Sequence, residues 1–463
     1  MNLHDYYQNL VIKSSGSLLV IAGPGAGKTT TIIGKINYLL SSGINKNEIL
    51  LLSFTNTSVI DLKNKINVDV FVTTFHKLAI DILKFNNITF NVTNNNLLDY
   101  IIDEFFYSLS YKEKKRLLRY LNIRRFSVNS HEFIYIKNLI KTFITLFKTN
   151  NYNKNNLINI VTNYKDKYLI KIILVIFDNY EKEKQSTNTF DYDDLIIKAT
   201  DILITTKNYK KFKYIIVDEF QDTSFIRLNL IKKIYELNSA KIIAVGDDFQ
   251  SIYHFSGCSP EIFLNFKKHF PESKIHYLKY TYRNSQELIN IATNFINKNS
   301  FQLKKEMISL KRRESPIEII SYFNPVKKLK KLLNSINGEI LILYRNKKDL
   351  FIYVDKDILI KNDYLIYDNR KYKHLTIHSA KGLEAENVII LNCSNELMGI
   401  PNKIVSHPIL NYVIKNEDNY PFAEERRVFF VALTRCKEKV YLLTPFNNPS
   451  PFIKEIKELF FIN

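Results

Sequence analysis

Seven short apolar runs punctuate the chain: "LLVIAG" (18–23), "ILLLSF" (49–54), "VFVTTF" (70–75), "YIIVDEF" (214–220), "KIIAVGD" (241–247), "EILILYR" (339–345) and "NVIILNC" (387–393). Each is of strand length, largely continuous in its hydrophobicity and flanked by polar or turn residues, which is the pattern of a strand buried on both faces. Most are separated by stretches long enough for a helix. The pattern predicts an α/β fold of doubly wound parallel sheets, with chemistry at the C-terminal ends of the strands.

From about 81 to 189 the pattern changes to helical periodicity with Lys-rich faces, including an Asn-rich patch, "KTNNYNKNN" (148–156), that reads most simply as a solvated loop. This stretch is expected to be a helical insertion, 81–189, in a first α/β domain made of 1–80 and 190–272, with a second α/β domain over 273–463. No internal repeat is visible.

Composition changes the picture in one respect. The 463 residues suffice for two to four domains with sizeable cores, and 66 basic against 46 acidic residues leave a formal charge of +20. That excess suggests a polyanion, with nucleic acid first, although a chain this rich in Lys, Asn, Ile and Tyr owes part of it to AT-rich coding. Cys258, Cys393 and Cys436 stand apart, with neither a disulfide framework nor a zinc pattern, which suggests a reducing compartment. No apolar run approaches the roughly 18 residues of a membrane span, and the N-terminus lacks the shape of a signal peptide. The expectation is a soluble intracellular protein, in the cytoplasm, the nucleoid or a viral replication site, with no membrane partner.

The chemistry begins at "LVIAGPGAGKTTTII" (19–33), a strand, a Gly-rich turn and a helix start in the order of a phosphate-binding loop. Gly23, Gly25 and Gly27 let bare N–H groups face inward, Lys28 offers a point charge to the β- and γ-phosphates, and Thr29 a hydroxyl to Mg²⁺. Thr30 follows as a further nucleotide contact. Ala22 stands where the strict pattern has Gly. Downstream, "YIIVDEFQDTS" (214–224) ends a strand in two carboxylates: Asp218 is placed to hold Mg²⁺ through water, Glu219 to deprotonate an attacking water. With the phosphate-binding loop, the pair implies phosphoryl transfer from a nucleoside triphosphate to water. Such a reaction needs positive charge from the far side, for which Arg283 in "YTYRNSQEL" and Arg435 in "EERRVFFVALTRCK" are the candidates.

At this point the ordered series of motifs resembles a family, the superfamily 1 DNA helicases of the UvrD/Rep/PcrA type. The resemblance runs through "AGPGAGKT", "LSFTNTSVIDLKNKI" (52–66), "TTFHKLA" (73–79), "FDYDDLI" (190–196), "DEFQD", "VGDDFQSIYHFSG" (245–257), "YTYRNS", "LTIHSAKGLEAENVII" (375–390) and "EERRVFFVALTR". It implies two RecA-like motor domains (1A and 2A), the 81–189 insertion as 1B, and movement 3′ to 5′ on single-stranded DNA. By matching position it implies that Gln8 reads adenine, Tyr282 stacks on it, Gln250 senses the γ-phosphate, Arg283 and Arg435 contact that phosphate, and Glu384 meets the sugar side. It implies strand contacts from Phe54, Asn56, His76, Tyr192, Tyr253, Phe255 and His378, which suits stacking of bases without reading their sequence.

Two departures qualify the resemblance. Ser256 stands in motif III where relatives commonly carry Arg. Only about 30 residues separate the "LILYR" strand from motif V, where larger relatives insert a domain called 2B, so 2B is expected to be absent or vestigial. Only about 25 residues follow motif VI, too few for the nuclease domain of an AddA- or RecB-like enzyme. The expectation is therefore an ATP- and Mg²⁺-dependent DNA helicase or translocase of replication, repair or recombination, acting on single strands and single/double-strand junctions, with a protein partner in place of 2B. The alternatives are an ATP-gated single-strand-binding accessory that unwinds little, or an RNA-directed motor.

Overall fold

The computed structural model describes residues 4–94, 96–121, 130–414 and 418–460. In chain order the strands are β1 (Leu18–Ala22), β2 (Ile49–Ser53), β3 (Phe71–Thr74), a short pair β4 (Asn91–Val92) and β5 (Thr189–Phe190), then β6 (Tyr214–Val217), β7 (Lys241–Gly246) and β8 (Lys274–Leu278). These are followed by β9 (Ile317–Tyr322), β10 (Ile340–Tyr344), β11 (Leu359–Lys361), β12 (Tyr364–Tyr367), β13 (Arg370–Thr376), β14 (Ala385–Ile390) and β15 (Cys436–Pro445). All seven apolar runs form strands.

The first sheet is six-stranded, in the order β3-β2-β6-β7-β1-β8, and every pairing in it is parallel. Its residues alternate between two cores, Leu18, Val20, Leu51 and Ile216 facing one side and Leu19, Ile21, Leu50 and Ile215 the other. Burial on both faces is why the sequence shows unbroken apolar runs. The boundary expected at 272/273 falls one strand early. Lys274–Leu278 pairs with β1, and Leu278 lies in the core of the first sheet.

The second sheet has seven strands, β11-β12-β13-β10-β14-β15-β9. Its body is parallel, with Leu341, Leu343 and Val388 on one face and Ile340, Ile342 and Ile389 on the other. It is not wholly parallel: β11, β12 and β13 form an antiparallel meander. That meander fills the short gap before motif V, and it extends the sheet where a separate domain would have to be inserted.

The described residues between β4 and β5 are mostly helical, including His131–Thr149 and Tyr164–Ser186, around a core of their own. Ile409, Leu410 and Val413, from the loop between β14 and β15, are buried in that core. Tyr412 donates to Asp166 at 3.0 Å, and the Asn150 amide donates to the Val413 carbonyl at 2.8 Å. The insertion is therefore clasped by the second α/β unit as well as rooted in the first.

The Asn-rich patch is only partly the loop expected. Lys148 and Thr149 end a helix, Asn150 is buried, and Asn153 caps the next helix. The Lys148 ammonium meets Asp191 at 2.6 Å and Asp194 at 2.5 Å, and Lys184 reaches the same two carboxylates. Glu181, Asp191 and Asp194 bring oxygens within 4.8 Å of one another, and both lysines pair with all three, offsetting two of the three charges. This cluster ties the insertion to the helix Tyr192–Thr206 of the first unit. Among the described residues no helix is long and apolar enough to cross a membrane.

Lys148→Met would leave buried carboxylates under-compensated and is expected to lower unfolding free energy by about 3–5 kcal/mol in urea melts at neutral pH. Burial alone would raise the Asp191 carboxyl, but Lys148 and Lys184 overcome it and hold its pKa below the usual carboxylate range. A depressed folded-state pKa gives stability that is complete above about pH 4 and lost as pH falls. The gap between wild type and variant should therefore narrow in acid; a gap independent of pH would contradict the account.

Candidate functional site

The turn after β1 carries two residues in the left-handed region, Gly25 at φ 69° and Gly27 at φ 74°, and the helix Lys28–Ser41 starts directly behind them. Gly25 also permits a close approach: a Cβ there would lie 2.5 Å from the Arg283 Cβ. The Tyr282 N–H donates to the Gly25 carbonyl at 3.0 Å and the Thr281 hydroxyl to the Pro24 carbonyl at 2.7 Å. The segment carrying Arg283 is thus laid against the phosphate-binding turn.

A cavity of about 340 Å³ opens between them. It is lined by Gly23, Gly25, Gly27, Lys28, Thr29, Thr30, Asp218, Glu219, Gln250, Arg283, Glu384 and Arg435. Residues from both α/β units therefore converge on one space. Gln8 and Tyr282 lie at its rim: a Cβ on Gly27 would sit 2.5 Å from the Gln8 Nε2 and 3.8 Å from the Tyr282 ring. Asp5, which the sequence did not single out, holds both of them. It caps the helix Tyr6–Lys13 in a reciprocal box with Gln8, and it accepts the Tyr282 hydroxyl.

The charges within the cavity are poised rather than balanced. Lys28 lies 3.3 Å from Glu219, whose backbone is held at φ 51°. Burial pushes the Glu219 carboxyl up, but Lys28 and Lys381 outweigh it and bring its pKa down to about 2. Burial and the neighbouring Glu219 push Asp218 up to about 7. Among the described residues, the hydrogen bond Asp218 accepts is from the Glu219 N–H, at 3.0 Å. A buried carboxyl held in this way, lining the same cavity as Thr29, is with that hydroxyl a hard-oxygen donor set that fits Mg²⁺.

Across the cavity, Arg435 is 1% exposed and meets no carboxylate within ion-pair distance among the described residues. Its Nη2 donates to the Gln250 Oε1 at 2.9 Å, and its Nε to the Val431 carbonyl. Burial, then the nearby Arg283, disfavours its charge. Arg283 pairs with Glu384 at 2.7 Å, and Lys437 shares that carboxylate at 2.9 Å. A buried guanidinium aimed at a cavity without its own counter-ion is a site for an anion.

A second face carries the residues expected to meet a nucleic-acid strand. Tyr253, Phe255 and His378 form one cluster, with ring centroids 5.8–6.5 Å apart, and the Tyr253 hydroxyl donates to the His378 carbonyl at 3.1 Å. Phe255 is 59% exposed. His76 and Tyr192 form an edge-on pair at 5.5 Å, and Phe54 packs on Phe75 beneath the Arg227 guanidinium. Asn56 stands exposed at the start of the helix Asn56–Lys65, apart from these clusters. Burial lowers both His76 and His378 to about 4, so at neutral pH they offer neutral rings rather than charge to phosphate.

Lys381 joins the two faces. It comes from the second unit and donates to Asp222 at 2.5 Å and to the Gln250 carbonyl at 2.7 Å, while lying 5.1 Å from the Tyr253 ring centroid. The sequence showed the motif around it without this role, because both partners lie more than a hundred residues away.

Comparison with known proteins fits this arrangement. The family described as the UvrD/REP helicase N-terminal domain matches residues 3–271, and the UvrD-like helicase C-terminal domain matches 360–445. DNA helicase IV of Escherichia coli (strain K12) is 27% identical over 97% of this chain and 69% of its own length. ATP-dependent DNA helicase Rep of Buchnera aphidicola subsp. Acyrthosiphon pisum is 28% identical over 79% of this chain, which spans 55% of that relative. ATP-dependent DNA helicase UvrD1 of Mycobacterium tuberculosis (strain ATCC 25618 / H37Rv) is 24% identical over 66% of this chain and 40% of its own length.

The geometry makes one residue separable from nucleotide binding. Glu219→Gln keeps the shape of the cavity and removes a carboxylate; if that carboxylate is the base, a fluorescent ATP analogue should bind within a few-fold of wild type while turnover falls by at least a hundredfold. Normal turnover in this variant would assign water activation to another group.

Proposed function

The chain belongs to the UvrD/Rep helicase family, and on that footing we propose that it is a motor that couples ATP hydrolysis to 3′-to-5′ movement on single-stranded DNA. The observation that carries this reading is the shared cavity, in which Lys28 and Glu219 of one α/β unit face Arg283 and Arg435 of the other. A triphosphate between them would draw both sides together, and its loss would let them part.

In this mechanism Gln8 and Tyr282 hold the adenine, Glu384 faces the sugar, and the turn of Gly23, Gly25 and Gly27 wraps the phosphates with help from Thr30. Thr29 and Asp218 would hold Mg²⁺, which would supply neutralising charge to the phosphates. Lys28 is drawn from Glu219 toward the γ-phosphate, which frees the Glu219 carboxylate to take a proton from the attacking water. Arg283 and Arg435 meet the charge that develops on the transferred group, with Gln250 bonded to Arg435 as its sensor.

Tyr253, Phe255, His378, Phe54, His76 and Tyr192 supply stacking faces for the strand, and Asn56 a polar contact at its edge. Arg227 provides a cation on that face, although Ser256 replaces the arginine expected in motif III. Its Nη1 lies 3.9 Å from the Cys258 Sγ, which is 3.6 Å from the Ser256 hydroxyl. The proposed setting is intracellular DNA replication, repair or recombination, at single/double-strand junctions. The β11–β13 meander in the place of a 2B domain favours a motor that translocates well and separates duplex weakly unless a partner protein helps.

Strand displacement tests the reading. Duplexes with a 3′ single-stranded tail should be opened with ATP, slowly, and 5′-tailed duplexes should not; the reverse preference would overturn the polarity. Phe255→Ala should weaken single-strand binding by about 1–3 kcal/mol, with a matching loss of DNA-stimulated hydrolysis. Unchanged affinity would remove Phe255 from the strand path.

A further inference from the structure

The stretch between the helix Gln286–Ile296 and β9 lies outside the motifs quoted from the sequence, yet it packs against the end of β7, the phosphate-binding turn and the Arg283 backbone. Lys305 forms ion pairs with Asp247 and with Asp248, the latter at 2.7 Å, and the side chains are 2%, 0% and 2% exposed. Its ammonium lies 3.6 Å from the Phe249 ring centroid. Two residues on, the Met307 sulfur occupies the space that a Cβ on Gly23 would need. The Leu303 N–H donates to the second oxygen of Asp248 at 2.9 Å.

What Lys305 holds matters because of the next contact. The free oxygen of Asp247 accepts the Gln250 Nε2 at 2.6 Å, and the Gln250 Oε1 accepts from Arg435 at 2.9 Å. An amide has one donating and one accepting end. With the donating end committed to Asp247, the carbonyl end is committed to Arg435, and the Gln250–Arg435 pair is fixed as a unit on the cavity wall. Without a cation, Asp247 and Asp248 would be two adjacent buried carboxyls that cannot both stay ionised in place.

We propose that Lys305 is a positioning residue for hydrolysis: by pinning Asp247 it orients Gln250 and Arg435 toward the γ-phosphate. The inference rests on the ATPase reading given above. It places the control of this pair in a segment whose Met307 abuts the phosphate-binding turn and whose Lys311 ammonium donates to the Arg283 carbonyl at 3.2 Å. Lys305 touches no nucleotide. Its loss should therefore act on turnover and leave nucleotide affinity largely intact.

The test is steady-state ATP hydrolysis by Lys305→Met, Lys305→Arg and wild type, with single-stranded DNA present and folding checked by circular dichroism. The expected result for the Met variant is a fall in kcat of about tenfold or more, with KM for ATP within about twofold, because a misaligned group costs rate rather than binding. The Arg variant, which keeps a cation between the two carboxylates, should recover much of the loss. The Met substitution combined with Asp247→Asn should be no slower than Met alone, since both act through Gln250. If the Met variant does not fold, Lys305→Met with Asp248→Asn removes the excess buried charge, and the same fall in kcat is expected. Wild-type kcat in the folded Met variant or in that charge-balanced pair, or fully additive losses with Asp247→Asn, would overturn the proposal. If the wild-type chain shows no hydrolysis at all, the ATPase reading fails; if it does hydrolyse, those results overturn only the role of Lys305.

Discussion

A buried guanidinium with no carboxylate at ion-pair distance among the described residues sets the terms for the rest of the molecule. Arg435 sits on the wall of a cavity whose opposite wall carries Lys28, and its partners are an amide, a hydroxyl and backbone carbonyls. Folding has brought positive charge from two sheets to one place while leaving part of it uncompensated. Burying a cation in that way is costly, and the cost is offset if the native partner is a polyanion that enters from solution. The phosphate-binding turn, the paired carboxylates after β6 and the arginines of the second unit then form a single electrostatic unit, incomplete until a triphosphate is bound.

The same economy of contacts links that cavity to the aromatic face. Lys381 bridges Asp222, the Gln250 carbonyl and the Tyr253 ring, so a shift of the second unit against the first is felt at both ends of one side chain. The helical insertion adds a second connection. Lys148 and Lys184 root it in the first unit through Asp191 and Asp194, and Ile409, Leu410 and Val413 of the second unit lie in its core. Any opening and closing of the cavity would therefore either carry the insertion along or work against its clasp.

The strands visible in the sequence were those buried on both faces, because continuous apolar runs are what such burial selects. β8 and β9 were missed for the converse reason. Both lie at sheet edges and mix exposed with buried positions, as in "KIHYL" and "IEIISY". The meander β11–β13 is short and largely polar on one side, so it left no run to see. Site residues next to a strand end or a glycine turn were legible, since spacing along the chain fixes their place: Lys28, Asp218 and Glu219 are of this kind. Asp5, Arg227, Lys305 and Lys381 were not. Their roles come from partners far along the chain, as with Lys305 and Asp247, 58 residues apart, and a lysine in a linear sequence does not reveal which buried carboxylate it will meet.

The proposed function requires that nucleotide chemistry in the shared cavity be coupled to a strand on the aromatic face. Steady-state ATP hydrolysis by the purified chain, with and without single-stranded DNA at low and moderate salt, tests it most directly. Coupling predicts strong stimulation by DNA that weakens as salt screens the phosphate contacts. Basal hydrolysis that single-stranded DNA leaves unchanged at either salt concentration would contradict it.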